Sequence, residues 1–217
     1  MTSNEKIIIE QMELGPMQNF VYFIGDPSTK KVAVVDPAWD IDALCRIAKE
    51  HGHTITSALL THGHPDHMQG LEKLLKIHDV PVYLSEFEPD YYTPACPNLV
   101  RTCPDQIITV GQKQIRCLHT PGHTPGSQCF LMDSVLLTGD TLFIRGCGRC
   151  DLPGGDAAAL YNSLFEVIRS LPETTMIYPG HRYGPAPFMT LKELLDTNPS
   201  LQFHSRQEFV NDMTGGM

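Results

Sequence analysis

At 217 residues, with 41% hydrophobic and 19% charged side chains, the chain has the make-up of an ordinary folded protein able to bury a large core. A formal net charge of -9 argues against general affinity for nucleic acid or anionic lipid, both of which need clustered Lys and Arg. No stretch approaches the roughly 18 apolar residues that span a bilayer, and Met1-Thr2-Ser3-Asn4-Glu5-Lys6 lacks the basic-then-apolar order of a leader, so the expectation is a cytoplasmic protein with neither membrane nor nucleic-acid partner.

Taken in order, Ile7 to Leu14, Phe20 to Ile24 and Val32 to Val35 are β-branched or aromatic runs separated by Gly15-Pro16 and by residues 25–30, and read as opening strands. Asp36-Pro37 closes the third. Asp40 then caps a helix whose apolar positions Ile41, Leu44, Ile47 and Ala48 recur at helical spacing up to Gly52. Ile55 to Leu60 reads as a buried strand, and a helix carrying Met68, Leu71, Leu74, Leu75 and Ile77 stops before Val80-Pro81. After a strand at Val82 to Leu84, the proline-rich stretch 85–105 reads as an irregular loop over a site.

Ile107 to Val110 and Gln114 to Leu118 form a hairpin about Gly111-Gln112, and Cys129 to Met132 with Val135 to Leu137 form another. Asp156 caps a helix running to about Ser170, with Leu160, Leu164, Val167, Ile168 and Leu171 on its apolar stripe. Met176 to Tyr178 is the last strand, residues 189–196 form a short helix, and the tail to Met217 is polar. With no Gly/Ser linker and no short tandem repeat, a single domain over residues 1–217 is expected, built of two β-rich halves packed as a sandwich with helices outside.

Polar residues gather where the apolar strands end. Thr61-His62-Gly63-His64-Pro65-Asp66-His67 follows one strand directly, and its spacing is informative. His62 and His64 lie two apart, so in extended backbone they point the same way, while Pro65 suits the first turn of a helix that carries Asp66 and His67 at its edge. His123, Asp140 and His181 also stand just beyond strand ends. Such residues are costly to bury without a partner, and a metal ion is the economical one. His62, His64, Asp66, His67, His123, Asp140 and His181 are too many for one tetrahedral ion and suit two divalent ions sharing a carboxylate.

The segments THGHPDH, PGHTPGS, GDTLF and PGH, in this order over residues 7–200, resemble the metallo-β-lactamase superfamily. The resemblance implies an α+β fold, the four-layer αββα sandwich. It implies that His62, His64 and His123 hold one metal, that Asp66, His67 and His181 hold the other, and that Asp140 bridges them. The two ions, zinc or a zinc and iron mixture, would then generate a hydroxide nucleophile at neutral pH. Asp66 and Asp140 would be the catalytic carboxylates, with Asp66 taking the proton as the intermediate collapses.

Within the superfamily the chain resembles the compact glyoxalase II branch, which implies hydrolysis of a thioester such as a hydroxyacylglutathione. Arg145, Arg149 and Tyr183 would bind the anionic thiol conjugate, unless the two arginines instead salt-bridge loop carboxylates such as Asp151. Ile144-Arg145-Gly146-Cys147-Gly148-Arg149 is similar to the persulfide dioxygenase branch, where residues matching His62, His123 and Asp140 hold a single iron and the other ligands persist. A noncatalytic metal-binding protein would have lost ligands, and here the set is whole. Seven cysteines without a leader argue against a disulfide framework, and Cys147-Gly148-Arg149-Cys150 reads as a tight turn carrying two thiols.

Overall fold

The structure is a computed structural model that describes residues 7–215; residues 1–6 and, in the tail, Gly216 and Met217 lie outside them. Two six-stranded sheets make the centre. The first has the order β1 (Ile8–Leu14), β2 (Asn19–Asp26), β3 (Lys31–Val35), β4 (Thr54–Leu59), β5 (Val82–Ser85), β6 (Leu99–Thr102). The second runs β12 (Met189–Thr190), β11 (Met176–Pro179), β10 (Val135–Gly139), β9 (Gln128–Met132), β8 (Lys113–His119), β7 (Ile107–Val110). Six α-helices flank them: α1 (Ile41–Glu50), α2 (Pro65–Met68), α3 (Leu71–Ile77), α4 (Ala157–Asn162), α5 (Leu191–Thr197) and α6 (Arg206–Met213).

Strand β2 explains the layering. Its residues are buried without interruption, and alternation sends them to two cores: Phe20, Tyr22 and Ile24 meet Phe130 and Leu137 of the facing sheet, whereas Val21 and Phe23 pack with Leu44 and Leu74 under α1 and α3. On the far face of the second sheet, Leu136 and Ile177 pack with Leu160 of α4, Leu194 of α5 and Phe209 of α6. Three apolar layers between four structural ones make the expected αββα sandwich. Among the described residues no helix is long and apolar enough to cross a membrane.

Several boundaries depart from the sequence expectation, each for a visible reason. The helix expected through residues 65–77 breaks at Gln69-Gly70, where Gly70 N donates to Pro37 O and a side chain would strike Ile41. The proline-rich stretch contains β6, which adds in parallel to β5 at the sheet edge. The helix capped by Asp156 does reach Ser170, but loosens after Asn162 into a wider turn and then tightens. The polar tail is not free: α6 buries Phe209 completely. Asp40 and Asp156 cap as expected, accepting from Ala43 N and from Ala158 N and Ala159 N.

Candidate metal centre

Four strands end at one edge of the sandwich, and each delivers donors there. His62, His64, Asp66 and His67 follow β4, His123 lies between β8 and β9, Asp140 follows β10 directly, and His181 comes two residues after β11. The β10–β11 register is irregular between Leu137 and Gly139, which turns the chain just before Asp140. A bridge between Asn19 and His181 closes the two sheets against each other at this edge. Glycine is required at two approaches: a Cβ on Gly63 would collide with the Tyr92 carbonyl, and one on Gly180 with the Asp140 carboxylate.

All seven residues singled out as ligands converge. His62 Nε2 and His123 Nε2 lie 3.0 and 2.9 Å from His64 Nδ1. On the other side His67 Nε2 is 3.1 Å from His181 Nε2, and Asp66 Oδ2 stands 3.5 and 3.4 Å from the same two atoms. Asp140 is between: Oδ1 is 3.3 Å from His67 Nε2, while Oδ2 is 3.4 Å from His181 Nε2 and 3.6 Å from His123 Nε2.

The hydrogen bonds on the outer ring nitrogens decide what these contacts are. His67 Nδ1 donates to Asp36 Oδ2 at 3.0 Å, His123 Nδ1 to Arg149 O at 2.8 Å, and His181 Nδ1 to Met17 O at 2.9 Å. Thr61 Oγ1 spends its proton on Asp36 Oδ2, so it accepts from His62 Nδ1 at 3.1 Å. With these four ring protons held outward, the Nε2 atoms of His62, His67, His123 and His181 turn inward, towards one another, His64 Nδ1 and a carboxylate. His64 Nε2 and Asp140 Oδ1 are buried without a hydrogen-bond partner. Such a donor set fits two cations that share Asp140.

Electrostatics follow the same division. Burial holds His62 well below the usual imidazole range and brings His64 down to about 4. Burial opposes charge on His67 and His181 too, but Asp140 overrides it at both, joined by Asp36 at His67, and raises them. Asp140 is itself held well below the carboxylate range, against its burial, chiefly by His67 and His181. The surroundings of Asp140 therefore favour positive charge.

Sequence reasoning missed the residues that hold the donors. Asp36, in sequence only the residue that closes a strand, accepts from Thr61 N, Thr61 Oγ1 and His67 Nδ1. Glu88, in the stretch read as a loop, accepts from Gly63 N at 2.7 Å, Gly126 N at 2.7 Å and Thr124 Oγ1 at 2.9 Å, stapling the His62–His64 turn to the His123 turn. Asn19 Nδ2 donates to Asp66 Oδ2 at 3.0 Å and is oriented by Trp39 Nε1, which donates to its Oδ1. A glutamate or asparagine at these positions carries no local motif.

A cleft of about 490 Å³ opens above the donors, walled by Phe143, Arg145, Cys147, Arg149 and Tyr183. Arg145 is exposed, with no ion pair among the described residues. Arg149, expected to bind substrate, is committed to Asp151 by two hydrogen bonds of 2.5 Å, the competing possibility named from sequence. Tyr183 stacks flat on His181, 4.8 Å between ring centres. Burial pushes the thiols of Cys147 and Cys150 up to about 11 and about 12, so both are protonated at neutral pH.

Fold and donor set together define a metallohydrolase-type sandwich. The Metallo-beta-lactamase superfamily profile matches residues 14–181, and the chain belongs to that superfamily. Among its relatives, the Probable polyketide biosynthesis zinc-dependent hydrolase BaeB of Bacillus velezensis is 37% identical over 89% of this chain and 86% of its own. The mitochondrial persulfide dioxygenase ETHE1 of Bos taurus is 33% identical over 97% of this chain and 82% of its own. The crystal structure of ETHE1 from Myxococcus xanthus superposes with a TM-score of 0.88 at 32% identity, covering 95% of this chain and 90% of that one.

Proposed function

We propose that the protein is a metal-dependent hydrolase of thioesters formed between an acyl group and a small anionic thiol, a hydroxyacylglutathione being one such conjugate. His62, His64 and His123 would hold one divalent ion, zinc in the first instance, and Asp66, His67 and His181 the other, with Asp140 shared. The observation that carries this reading is that the second half is clamped and not merely present. His67 is fixed by Asp36, His181 by Met17 O and Asp66 by Asn19, so each donor has a partner holding it at its post. Chemistry at a single ion would use His62, His123 and Asp140 and would leave the clamped second half idle. The similarity to a zinc-dependent hydrolase supports the same side.

When bound, the two ions would lower the pKa of a shared water and polarise the thioester carbonyl. The chain supplies the rest. Arg145, unpaired at the cleft wall, would anchor the carboxylate of the thiol carrier, and the Tyr183 ring on His181 would flank it. Asp66, half-buried and open to the cleft, would accept the proton lost by the attacking water. It would return that proton to the departing thiolate sulfur, so that thioester and water leave as acid and thiol.

A second reading is favoured by the similarity to the persulfide dioxygenase: a mononuclear iron enzyme in which His62, His123 and Asp140 hold the ion and oxygen oxidises glutathione persulfide. Two assays on one preparation separate them. Thiol release from an acyl-glutathione thioester, with two metal equivalents by elemental analysis, is expected. Oxygen uptake with glutathione persulfide in the absence of thioester cleavage would overturn the hydrolase.

A further inference from the structure

A groove of about 550 Å³ lies beside the metal centre, between the α2–α3 pair and the segment 94–97. Met68, Leu71 and Leu75 line one side, and Pro94 and Pro97 the other. The charges at its rim neutralise each other, since Lys76 Nζ donates to Glu72 Oε1 at 2.7 Å. Its interior is suited to an apolar occupant, and its volume lies within the range of small-molecule sites.

Both walls of the groove start at the donors. One wall begins with Pro65, which follows the ligand His64 and lines the catalytic cleft as well as the groove. The other is preceded in the chain by Tyr92, whose ring meets His64 edge-on at 4.6 Å and whose carbonyl lies against Gly63. From there the chain runs on to Pro94. Arg145 and Tyr183 wall the cleft but not the groove. A molecule with its reacting carbonyl above the donors therefore has a cationic wall in the cleft and, past Pro65, an apolar trough outside it.

We propose that this trough receives the acyl chain of the thioester, so that the substrates are conjugates of an aliphatic acyl group of medium length with an anionic thiol carrier. The inference rests on the hydrolase reading above and narrows it. A long apolar chain gains by leaving water along Met68, Leu75 and the two prolines, while a short hydroxyacyl group leaves the trough unfilled.

The test uses ligands that cannot be cleaved: the S-octyl and S-methyl thioethers of 3-mercaptopropionate, titrated calorimetrically into the metal-loaded protein. The octyl compound is expected to bind at least about tenfold tighter, the lower end of what burying part of its chain supplies. Leu75→Glu, which puts a charge in the half-buried wall, should remove that advantage and leave S-methyl binding unchanged. Ala95→Trp, at an exposed position on the opposite rim, should reduce it by filling the trough without touching a helix. Equal affinity for the two thioethers in the wild type, or an undiminished octyl advantage in both variants, would overturn the proposal. Because a thioether has no scissile bond, absence of thioester hydrolysis refutes the enzyme reading alone and leaves this measurement intact.

Discussion

Two clusters of histidine and carboxylate converge among the described residues, and they differ in where their ring protons point. At the far end of the first sheet from the metal centre, Glu10 of β1 accepts from His51 Nδ1 at 2.9 Å and from His53 Nε2 at 2.7 Å. Those three groups lie as close together as the donors of the centre do. Their contacts, however, are ordinary hydrogen bonds, with an N–H facing a carboxylate each time, and His51 is half exposed. At the centre the protons of His62, His67, His123 and His181 are spent outward, and nitrogen faces nitrogen. Proximity of ligand-type residues is thus a poor criterion for a metal site. The direction of the ring protons is the better one, because it decides whether the cluster is satisfied or needs a cation.

That contrast can be broken by experiment. Asp140→Ala removes the carboxylate that, among the described residues, faces both triads; turnover should fall by on the order of 10³-fold or more, with loss of bound metal by elemental analysis, whereas Glu10→Ala should leave both unchanged. Removing the metal with a chelator should lower the melting temperature by on the order of 10 °C, as expected for loss of a ligand held far above its dissociation constant. The shift should be the same size in Glu10→Ala. A smaller shift in that variant would mean that the peripheral cluster also holds an ion.

Asp36→Asn keeps the shape but weakens the acceptor for His67 Nδ1 and Thr61. Metal affinity, measured by competition with a chromophoric chelator, should drop by about 10- to 100-fold, as for other partners of ligating histidines. The smallest effect belongs to the periphery. Burial resists ionisation of Glu10, but its bonds to His53 and His51 win and hold its carboxyl below the usual range. A depressed folded value means that its contribution is present above the unfolded value, roughly pH 4.3, and is lost as pH falls through the lower folded one. Glu10→Gln should therefore cost less than about 1 kcal/mol at pH 7 in urea unfolding, with the difference from wild type vanishing towards pH 3.

Much of the fold was legible because its layers are written in short periods. The run Phe20 to Ile24 alternates between two cores, and α1 shows its apolar face at helical spacing between an Asp cap and a Gly stop. Where an element lacks a repeating apolar pattern, legibility failed. Strand β6 is a short edge strand in a proline-rich stretch, and α6 is held by Phe209 in an otherwise polar segment, so neither has a periodic signal strong enough to stand out. The groove beside the centre was invisible for the same reason: its walls come from the 65–75 and 94–97 segments, which form a trough only once packed together.

The candidate site divides in the same way. By itself the sequence determined which residues are available as donors, since a seven-residue motif at a strand end sets the facing of His62, His64, Asp66 and His67 by backbone geometry alone. Tertiary structure decided everything that spans long separations. It brings His181 to His67 across 114 residues, and it supplies Asp36 and Glu88 from 25 residues away to aim the rings and staple the loops. It also commits Arg149 to Asp151 and leaves Arg145 facing the cleft. The physical reason is that local spacing controls which way a side chain leaves the backbone, whereas the orientation of an imidazole proton, the pairing of a guanidinium and the shape of a trough depend on partners that only packing can bring within reach.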